Sequence, residues 1–467
     1  MRGTKKLNQK QHFVNLRGNV LKQSTNLFLT FLLLPTALFF TDSAYAVPTP
    51  HTPTTTTTIT TATPTPPAPV THTDPITVYL TWQRQPESTM TIQWITPNTN
   101  ASDRVEYQPY HSNQPDENSQ DQWQTLTGSH SSLPEGYPLF LHRAELTNLQ
   151  PDTTYAFRLS PNGKLYKFCT MPADLRSPVR FVAGGDVYHD TIADVQRMHV
   201  QAAATNPAFA LVGGDVAYSA RRYAFLYKLG LSKEKIERWM DFFAAWQKWM
   251  VRPDGCLIPI IPAIGNHETM GGYKQTPAEA PLFYAFFPMP GFQGYNALDF
   301  GTYLSIILLD SQHTHPIEGA QTHWLYHALE KRQQIPHKFA LYHVGAYPSV
   351  RSINGDIDKR IRSNWVPIFE RFGLNAAFEN HEHAYKRTHP LRDGKIDPTG
   401  VVYIGDGAWG IHRPRTPKTP EKRRYLVKSA ALQNVLIVTI SDQERHFRAI
   451  DTSGNTIDEL TQRIHQN

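Results

Sequence analysis

The pattern of apolar and polar positions changes near residue 175. From residue 76 to about 175, short segments rich in β-branched and aromatic residues alternate apolar with polar positions, and Ser, Asn, Pro and Gly separate them. Such segments predict strands joined by tight turns. No long amphipathic helical pattern interrupts them. We therefore expect a small all-β sandwich over residues 76–175.

From about residue 178, continuous apolar runs alternate with segments whose apolar residues recur at helical spacing. Runs that are apolar at every position indicate strands buried on both faces, as happens when helices cover a sheet. The pattern therefore predicts an α/β domain over residues 178–467, with layered β-sheets flanked by helices. The helical candidates are TIADVQRMHVQAAA, KEKIERWMDFFAAWQKWM, QTHWLYHALEKR and NWVPIFERF.

The first 75 residues follow neither pattern. Basic residues precede an apolar stretch at 27–40, and small residues follow it at Ala44 and Ala46. This layout predicts a signal peptide over residues 1–46, cleaved after Ala46, and a secreted or periplasmic protein. Because Pro35 interrupts a stretch shorter than the roughly 20 residues of a membrane span, we expect no stable membrane anchor. The Thr/Pro-rich residues 47–75 predict a linker.

The charge balance does not favour a nucleic-acid partner. The 467 residues include 46 basic and 40 acidic ones, a formal net charge of +6. Six of the basic residues and one acidic residue lie in the predicted signal peptide, so the remainder has 40 basic and 39 acidic residues. A chain so close to neutral is not expected to bind nucleic acid.

The chain has two cysteines, Cys169 and Cys256. An exported protein meets oxidising conditions, but sequence does not give the distance between their Cα atoms, so a disulfide remains an open question. Two cysteines cannot form a sulfur-rich metal site. Any metal would need His, Asp, Asn or Tyr as ligands.

Oxygen and nitrogen donors end five of the apolar runs in the predicted α/β domain. The carboxyl ends of strands converge on one crevice in open α/β sheets, so these donors are expected to lie together. They suit Fe, Mn or Zn, and they are numerous enough for two metals that share a bridging carboxylate, as phosphate-ester hydrolysis requires. The donors are Asp186, Asp215 and Tyr218 in GDVAY, Asn266, His267 and Glu268 in GNHE, His343, and His381 and His383 in NHEH.

The order of these blocks resembles the metallophosphoesterase superfamily, and the tyrosine of GDVAY resembles the purple acid phosphatases within it. The segment LTNLQPDTTYAFRL (146–159) is similar to the late strands of fibronectin type III-like domains. The resemblance covers residues 76 to 460. It implies an acid phosphatase with a metallophosphoesterase-type catalytic domain, hydrolysing monoesters of small phosphorylated molecules with a metal-bound hydroxide as nucleophile.

The resemblance also implies a role for each donor. Fe(III) would be bound by Asp186, Tyr218 and His383, and a divalent Fe, Zn or Mn ion by Asn266, His343 and His381. Asp215 would bridge the two ions. His267 would contact the phosphoryl oxygens or protonate the leaving group. We expect no chemical role for His189, His313 or His315, and the substrate-binding residues remain unassigned.

The chain departs from the family pattern at several places, among them Ala340, where a valine commonly precedes the fourth-block histidine by three residues. Tyr188 replaces the usual glycine of the first block, where it would line or crowd the pocket, and Asn380 replaces the usual glycine of the last block. Glu382 adds a carboxylate that would repel an anionic substrate unless it points away. Plant-type members carry further histidines after the fourth block, and none occurs between His343 and His381.

Two alternative functions remain at this point. A phosphodiesterase or nucleotide-cleaving enzyme would use the same scaffold. A binding or adhesion protein would use the sandwich for contact and keep an inert phosphatase-like domain. All seven predicted ligand positions hold competent donors, which favours catalysis.

Overall fold

The computed structural model describes residues 75–97, 99–110, 123–220, 224–289 and 293–464. The predicted signal peptide and all but the last residue of the predicted linker lie outside these residues. Within them, no helix combines the length and apolar character that crossing a membrane requires.

Eight strands form the N-terminal part of the described chain. They make two four-stranded antiparallel sheets, ordered β1-β2-β6-β5 and β4-β3-β7-β8, which confirms the predicted all-β sandwich. The strands are β1 (Thr77–Thr81), β2 (Met90–Thr96), β3 (Arg104–Pro109), β4 (Gln124–Thr127), β5 (Ser129–Ser132), β6 (Phe140–Leu146), β7 (Thr154–Arg158) and β8 (Tyr166–Cys169).

Both faces of β1 are buried. Val78 and Leu80 point into the core between the two sheets, as the alternating pattern predicts. Tyr79 points the other way and stacks on Phe243, with ring centroids 4.1 Å apart. The outer face of the sandwich therefore packs against the rest of the protein, where an isolated sandwich would meet solvent.

The α/β part contains fifteen strands in the described residues. They are β9 (Val179–Gly184), β10 (Ala210–Gly213), β11 (Ile260–Ala263), β12 (Asn296–Phe300), β13 (Leu304–Leu308), β14 (His337–Val344), β15 (Ala376–Asn380), β16 (Tyr385–Thr388), β17 (Leu391–Arg392), β18 (Lys395–Ile396), β19 (Val402–Gly405), β20 (Leu426–Ala430), β21 (Asn434–Ile440), β22 (Glu444–Asp451) and β23 (Thr456–Arg463). The helices are α1 (Ile192–Ala204), α2 (Ala224–Lys228), α3 (Ile236–Trp249), α4 (Pro281–Phe286), α5 (Ala320–Glu330), α6 (Asp356–Asn364) and α7 (Val366–Arg371).

Two large mixed sheets pack face to face in this part. One has the order β11-β10-β9-β21-β22-β23 and the other the order β12-β13-β14-β15-β19-β16-β20, while β17 and β18 form a separate hairpin. Phe181 of the first sheet contacts Phe339 and Phe378 of the second, with ring centroids 5.9 and 6.2 Å apart. Strands β9 to β11 run parallel, as do β13, β14, β15 and β19.

Helices cover the outer face of each sheet. Trp239 and Phe243 of α3 share a core with Val212 of β10, and Trp365 and Phe369 share one with Tyr342 of β14. Continuous apolar runs are therefore buried on both sides, which confirms the predicted layered α/β fold. The parallel strands place the loops after β9, β10, β11, β14 and β15 at one edge of the two sheets.

Candidate metal centre

Side chains from these five loops and strand ends form two groups that share Asp215. In one group, potential ligand atoms of Asp186, Asp215 and His383 all lie within 4.8 Å of one another. In the other, those of Asp215, His343 and His381 do the same. All seven residues predicted as metal ligands are brought together, and a shared carboxylate suits two neighbouring cations.

The first group is completed by Tyr218. Asp186 Oδ1 lies 2.9 Å from His383 Nε2. The Tyr218 hydroxyl lies 3.1 Å from the same carboxylate oxygen and 3.3 Å from His383 Nε2. Three oxygen or nitrogen donors from three loops thus face one small volume beside Asp215, which is the arrangement that a cation-binding site needs.

The second group is completed by Asn266. His343 Nε2 lies 3.2 Å from Asp215 Oδ2, 3.1 Å from Asn266 Oδ1 and 3.0 Å from His381 Nδ1. The other ring nitrogen of His343 lies 2.9 Å from the Gly213 carbonyl oxygen, to which it donates its hydrogen. That bond leaves Nε2 unprotonated in the neutral ring and free to bind a cation. The donor set therefore fits the dinuclear centre that the resemblance implies.

The backbone at the site is strained. Five of the seven predicted ligands have φ between +50° and +75°. This left-handed region costs a residue other than glycine about 1–3 kcal/mol, and such residues cluster at functional sites. The five are Asp186, Asp215, Tyr218, His381 and His383.

Glu268 joins two of the loops and is not itself a predicted metal ligand. Its buried carboxylate accepts the backbone N–H groups of Asp215 and Val216, both at 2.7 Å, and of Gly265 at 3.0 Å. The Asp215 carboxylate in turn accepts the backbone N–H of His267 at 2.8 Å. The glutamate of GNHE therefore fixes the shared carboxylate relative to the loop that carries Asn266.

One glycine allows the backbone to approach the metal ligands closely. Gly407 has φ +68°, and a Cβ there would overlap Asp186 Oδ2 and lie 2.7 Å from the backbone nitrogen of His381. That nitrogen donates a hydrogen bond to Asp186 Oδ2 at 2.9 Å. Only glycine fits here without displacing the Asp186 carboxylate.

Burial and the neighbouring charges set the protonation of the second group. Burial alone would raise the pKa of Asp215, but the surrounding histidines, His343 first, hold it well below its usual value. Burial alone would lower the pKa of His343, but Asp215 and Asp186 raise it to about 9. Burial and the charge of His343 lower the pKa of His381. Without a cation, the positive charge of His343 would compensate the carboxylates, and a bound cation would take over that role.

The residues that depart from the family pattern all point away from the pocket. The Tyr188 hydroxyl donates to Asp241 Oδ2 at 3.0 Å, and the Arg238 guanidinium lies 3.7 Å from its ring centroid. The amide of Asn380 donates to the Tyr342 carbonyl oxygen at 2.9 Å. Tyr188 therefore neither lines nor crowds the pocket.

Glu382 is also turned away from the metal ligands. Its carboxylate Oε1 lies 2.6 Å from Arg351 Nη1, and Oε2 accepts the backbone N–H of Val350 at 2.6 Å. The extra negative charge between the two histidines is thus paired with an arginine.

A pocket of about 520 Å³ opens onto the two groups. His267 lines it and stacks on the Tyr218 ring with centroids 4.5 Å apart. Burial lowers the pKa of His267. His189, of which no chemical role was expected, also lines the pocket, whereas His313 is buried behind His343, with ring centroids 5.5 Å apart. His315 lies against Asp310 and is absent from this pocket lining.

Three further lining residues with polar side chains escaped the sequence analysis: Tyr273, Arg351 and Arg415. The Tyr273 hydroxyl lies 3.1 Å from Asn266 Oδ1 and 3.2 Å from His381 Nε2. None of the three follows a strand directly, so strand-end reasoning passed over them. Arg351 lies a few residues after β14, in the region where plant-type family members carry extra histidines, and a search there for other cationic residues would have found it.

Comparison with known proteins gives the same two-part organisation. The family model of the purple acid phosphatase N-terminal domain matches residues 75–170, and that of the calcineurin-like phosphoesterases matches residues 179–385. An uncharacterized protein of Mycobacterium tuberculosis is 25 % identical over 329 residues, 59 % of each chain. Purple acid phosphatase 18 of Arabidopsis thaliana is 24 % identical over 365 residues, 71 % of this chain and 72 % of that protein. The match thus spans little more than half the length of the mycobacterial relative.

Two solved structures share the fold. Purple acid phosphatase PPD1 from yellow lupin (Lupinus luteus) seeds superposes with a TM-score of 0.64 at 15 % identity, covering 82 % of this chain and 73 % of that chain. The structure of PhoD gives a TM-score of 0.62 at 11 % identity, covering 86 % and 94 %. At these low sequence identities, the two structures show only that the fold is shared.

Proposed function

Because the chain belongs to the metallophosphoesterase superfamily and has the two-part organisation of the purple acid phosphatases, we propose that it is an exported acid phosphatase. Its substrates are monoesters of small phosphorylated molecules, and its cofactor is a dinuclear metal centre. The observation that carries the proposal is the sharing of Asp215 between two groups of largely buried donors. Export rests on the N-terminal leader sequence alone.

The two groups differ in their donors, which supports different metals. Asp186, Tyr218 and His383 offer a carboxylate, a phenolate and an imidazole, a set suited to Fe(III). Asn266, His343 and His381 offer one neutral amide oxygen and two imidazoles, a set suited to divalent Fe, Zn or Mn. Asp215, which belongs to both groups, would be shared between the two ions. When bound, the two cations acidify a water molecule and stabilise charge on the attacking and leaving oxygens.

The protein side chains supply orientation and a proton. Glu268 and the left-handed loop residues hold the ligand atoms in place before substrate arrives. His267 lies in the pocket wall beside Tyr218, where its imidazolium donates a proton to the leaving alkoxide. Because burial lowers the pKa of His267, this donation is most effective at acidic pH.

Metal analysis, a visible spectrum and two assays on the chain from residue 47 test the proposal. We expect about two metals per chain including iron, a broad visible band, and hydrolysis of 4-nitrophenyl phosphate faster than of bis(4-nitrophenyl) phosphate. The matched control is the same preparation after chelation. If two metals are bound but the diester is cleaved faster than the monoester, the protein would be assigned as a phosphodiesterase instead. No bound metal after reconstitution would overturn the proposal.

A further inference from the structure

Two arginines in the pocket wall have no part in the metal centre. Arg351 and Arg415 both line the pocket. Their Nη1 atoms contact the carbonyl oxygen of His381, at 2.7 Å and 3.4 Å. Two guanidinium groups from separate loops thus converge beside one predicted metal ligand.

Arg351 is held in this position by Glu382. Glu382 is almost fully buried, and its Oε1 lies 2.6 Å from Arg351 Nη1. Its Oε2 accepts the backbone N–H groups of Val350 and Arg351, at 2.6 and 2.5 Å. One carboxylate therefore fixes both the side chain and the loop of Arg351, which pre-organises the guanidinium at the pocket.

Arg415 is not compensated in the same way. Its backbone N–H donates to the His383 carbonyl oxygen at 2.8 Å, so it is tied to the same loop. Its guanidinium shares the His381 carbonyl oxygen with that of Arg351, and in the described parts of the chain no carboxylate forms an ion pair with it. A half-buried cation next to another cation is costly unless an anion binds between them.

We propose that Arg351 and Arg415 bind the non-reacting oxygens of the substrate phosphoryl group and that Glu382 positions Arg351. The inference rests on the proposed function and narrows its substrate class. Two guanidinium groups balance the two charges of a phosphomonoester, whereas a diester has one charge and one fewer free oxygen. The pair therefore sets a preference for monoesters.

The test uses the metal-loaded protein and the variants Arg351→Gln, Arg415→Gln and Glu382→Gln. For each arginine variant we expect kcat/KM for 4-nitrophenyl phosphate to fall by about 10–100-fold, the range of charge-assisted hydrogen bonds. The loss is expected mainly in KM, with less than about a threefold change for bis(4-nitrophenyl) phosphate. Arg413→Gln, an exposed change two residues from Arg415, is the matched control and leaves both values unchanged.

The positioning role of Glu382 has its own readout. Glu382→Gln alone is expected to lower kcat/KM for the monoester, by less than Arg351→Gln does. In the Arg351→Gln background it should cause no further loss, since the group it positions is absent. Metal content measured on every variant shows whether the centre is intact. A full additional loss in that background would overturn the positioning role.

Binding of inorganic phosphate separates this inference from the proposed function. If the unchanged protein hydrolyses neither ester, the proposed function fails, while calorimetry with inorganic phosphate still tests the arginines. We expect phosphate affinity to fall by about 10-fold or more in each arginine variant. Unchanged phosphate affinity at unchanged metal content would overturn the phosphoryl site. An equal loss for monoester and diester would overturn the specificity.

A different pair of residues carries a second, independent inference. Cys169, at the end of β8 in the sandwich, and Cys256, in the segment between α3 and β11, have Sγ atoms 2.9 Å apart. Between these segments Leu257 N–H donates to the Lys167 carbonyl oxygen at 2.8 Å. Two thiols held this close across two parts of one chain are within reach of each other for a disulfide, whose S–S bond is about 2.05 Å long.

We infer that Cys169 and Cys256 form a disulfide that ties the sandwich to the α/β part. The oxidant is a disulfide, either of a thiol–disulfide oxidoreductase or of glutathione. The partly exposed Cys169 attacks one of its sulfurs as the thiolate and releases the first thiol. The hydrogen bond from Cys256 lowers the pKa of Cys169 to about 7, which favours this order. Cys256, once deprotonated, then attacks Cys169 Sγ and releases the second thiol.

Counting thiols after incubation with oxidised glutathione tests this inference without any assay of activity. We expect the free thiols of the denatured chain to fall from two to none, the mass to fall by about 2 Da, and the Tm to exceed that of the reduced protein. The Cys169→Ser/Cys256→Ser double variant is the control, and its Tm does not respond to the oxidant. Persistent thiols, or a glutathione adduct on Cys169 alone, would overturn it.

Discussion

His381 Nδ1 lies 3.0 Å from His343 Nε2, although the two residues are 38 positions apart. Asp215 Oδ2 and Asn266 Oδ1 lie 3.2 and 3.1 Å from the same His343 nitrogen. Four polar atoms, from one strand end and three loops, therefore face one another in a largely buried site. Such an arrangement is costly by itself, because buried polar groups need a partner of opposite character. A shared cation provides that partner.

Replacing His343 by alanine is therefore expected to remove one of two metals. Metal analysis should give about one ion per chain in His343→Ala and about two in the unchanged protein. Phosphatase activity should fall by more than the roughly 10–100-fold typical of residues that only support a ligand. His189→Ala is the matched control, since His189 lines the same pocket but is not a predicted ligand. Two retained metals in His343→Ala would exclude His343 as a ligand.

Removal of the Tyr218 hydroxyl is expected to remove the visible absorption of the iron-loaded protein. The hydroxyl lies 3.1 Å from Asp186 Oδ1, where as a phenolate it would bind Fe(III). Tyr218→Phe should lose the band and retain the far-ultraviolet circular dichroism of the folded protein. Tyr273→Phe, which alters the pocket tyrosine near Asn266, should keep the band. A band that persists in Tyr218→Phe would assign the colour to another group.

The location of the metal donors could be predicted from sequence, because each follows or ends an apolar run and parallel strands share an edge. Asp186, Asp215 and His381 are found where that reasoning puts them. The environment of Glu382 could not be predicted. Alternation along a strand places it opposite the neighbouring histidines, but its partner Arg351 lies 31 positions earlier, in a loop without any periodic signal.

Two other features differ from expectation. The segment NWVPIFERF was predicted as helical and contains α7, but the polar helix α6, which ends at Asn364 where that segment begins, was not among the helical candidates. The proline within the first turn of α7 lacks an N–H and favours a helix start there. In the sandwich, the outer face of β1 would meet solvent if the domain stood alone. Tyr79 shows why this face is covered, since it stacks on an aromatic residue of α3.

The close approach at Gly407 leads to a prediction about stability and metal binding together. Gly407→Ala is expected to lower both the free energy of unfolding and the metal content. The left-handed φ costs about 1–2 kcal/mol, and overlap with the Asp186 carboxylate adds about 1–3 kcal/mol.

Gly394 provides the control because it has the same φ of +68°, and a Cβ added there would meet no atom within 4 Å. Gly394→Ala should show the backbone cost alone and keep both metals. Urea unfolding and metal analysis of the two variants measure the difference. Equal destabilisation with unchanged metal content would show that Gly407 serves only the turn.

Two buried histidines are expected to make the fold less stable in acid. Burial lowers the pKa of His199 to about 3. Burial, and then the charge of Arg445, lower that of His337 to about 3. Both groups are protonated in the unfolded chain below its pKa of about 6.5 but stay neutral in the fold. The unfolded state thus binds more protons between about pH 6.5 and 3, so stability is complete above this window and falls as the pH drops through it.

Replacing one of these histidines should make the free energy of unfolding depend less steeply on pH. His199 accepts a hydrogen bond from Trp409 Nε1 at 2.9 Å, and a glutamine carbonyl offers an acceptor without titrating. His199→Gln is therefore expected to reduce the loss of unfolding free energy by about 1.4 kcal/mol per pH unit between pH 6 and 4. His323→Gln, on the exposed face of α5, is the control. Urea unfolding at each pH compares variant with unchanged protein, so that the shared effect of the metal centre cancels. An unaltered slope in His199→Gln would mean that His199 takes up its proton without unfolding the chain.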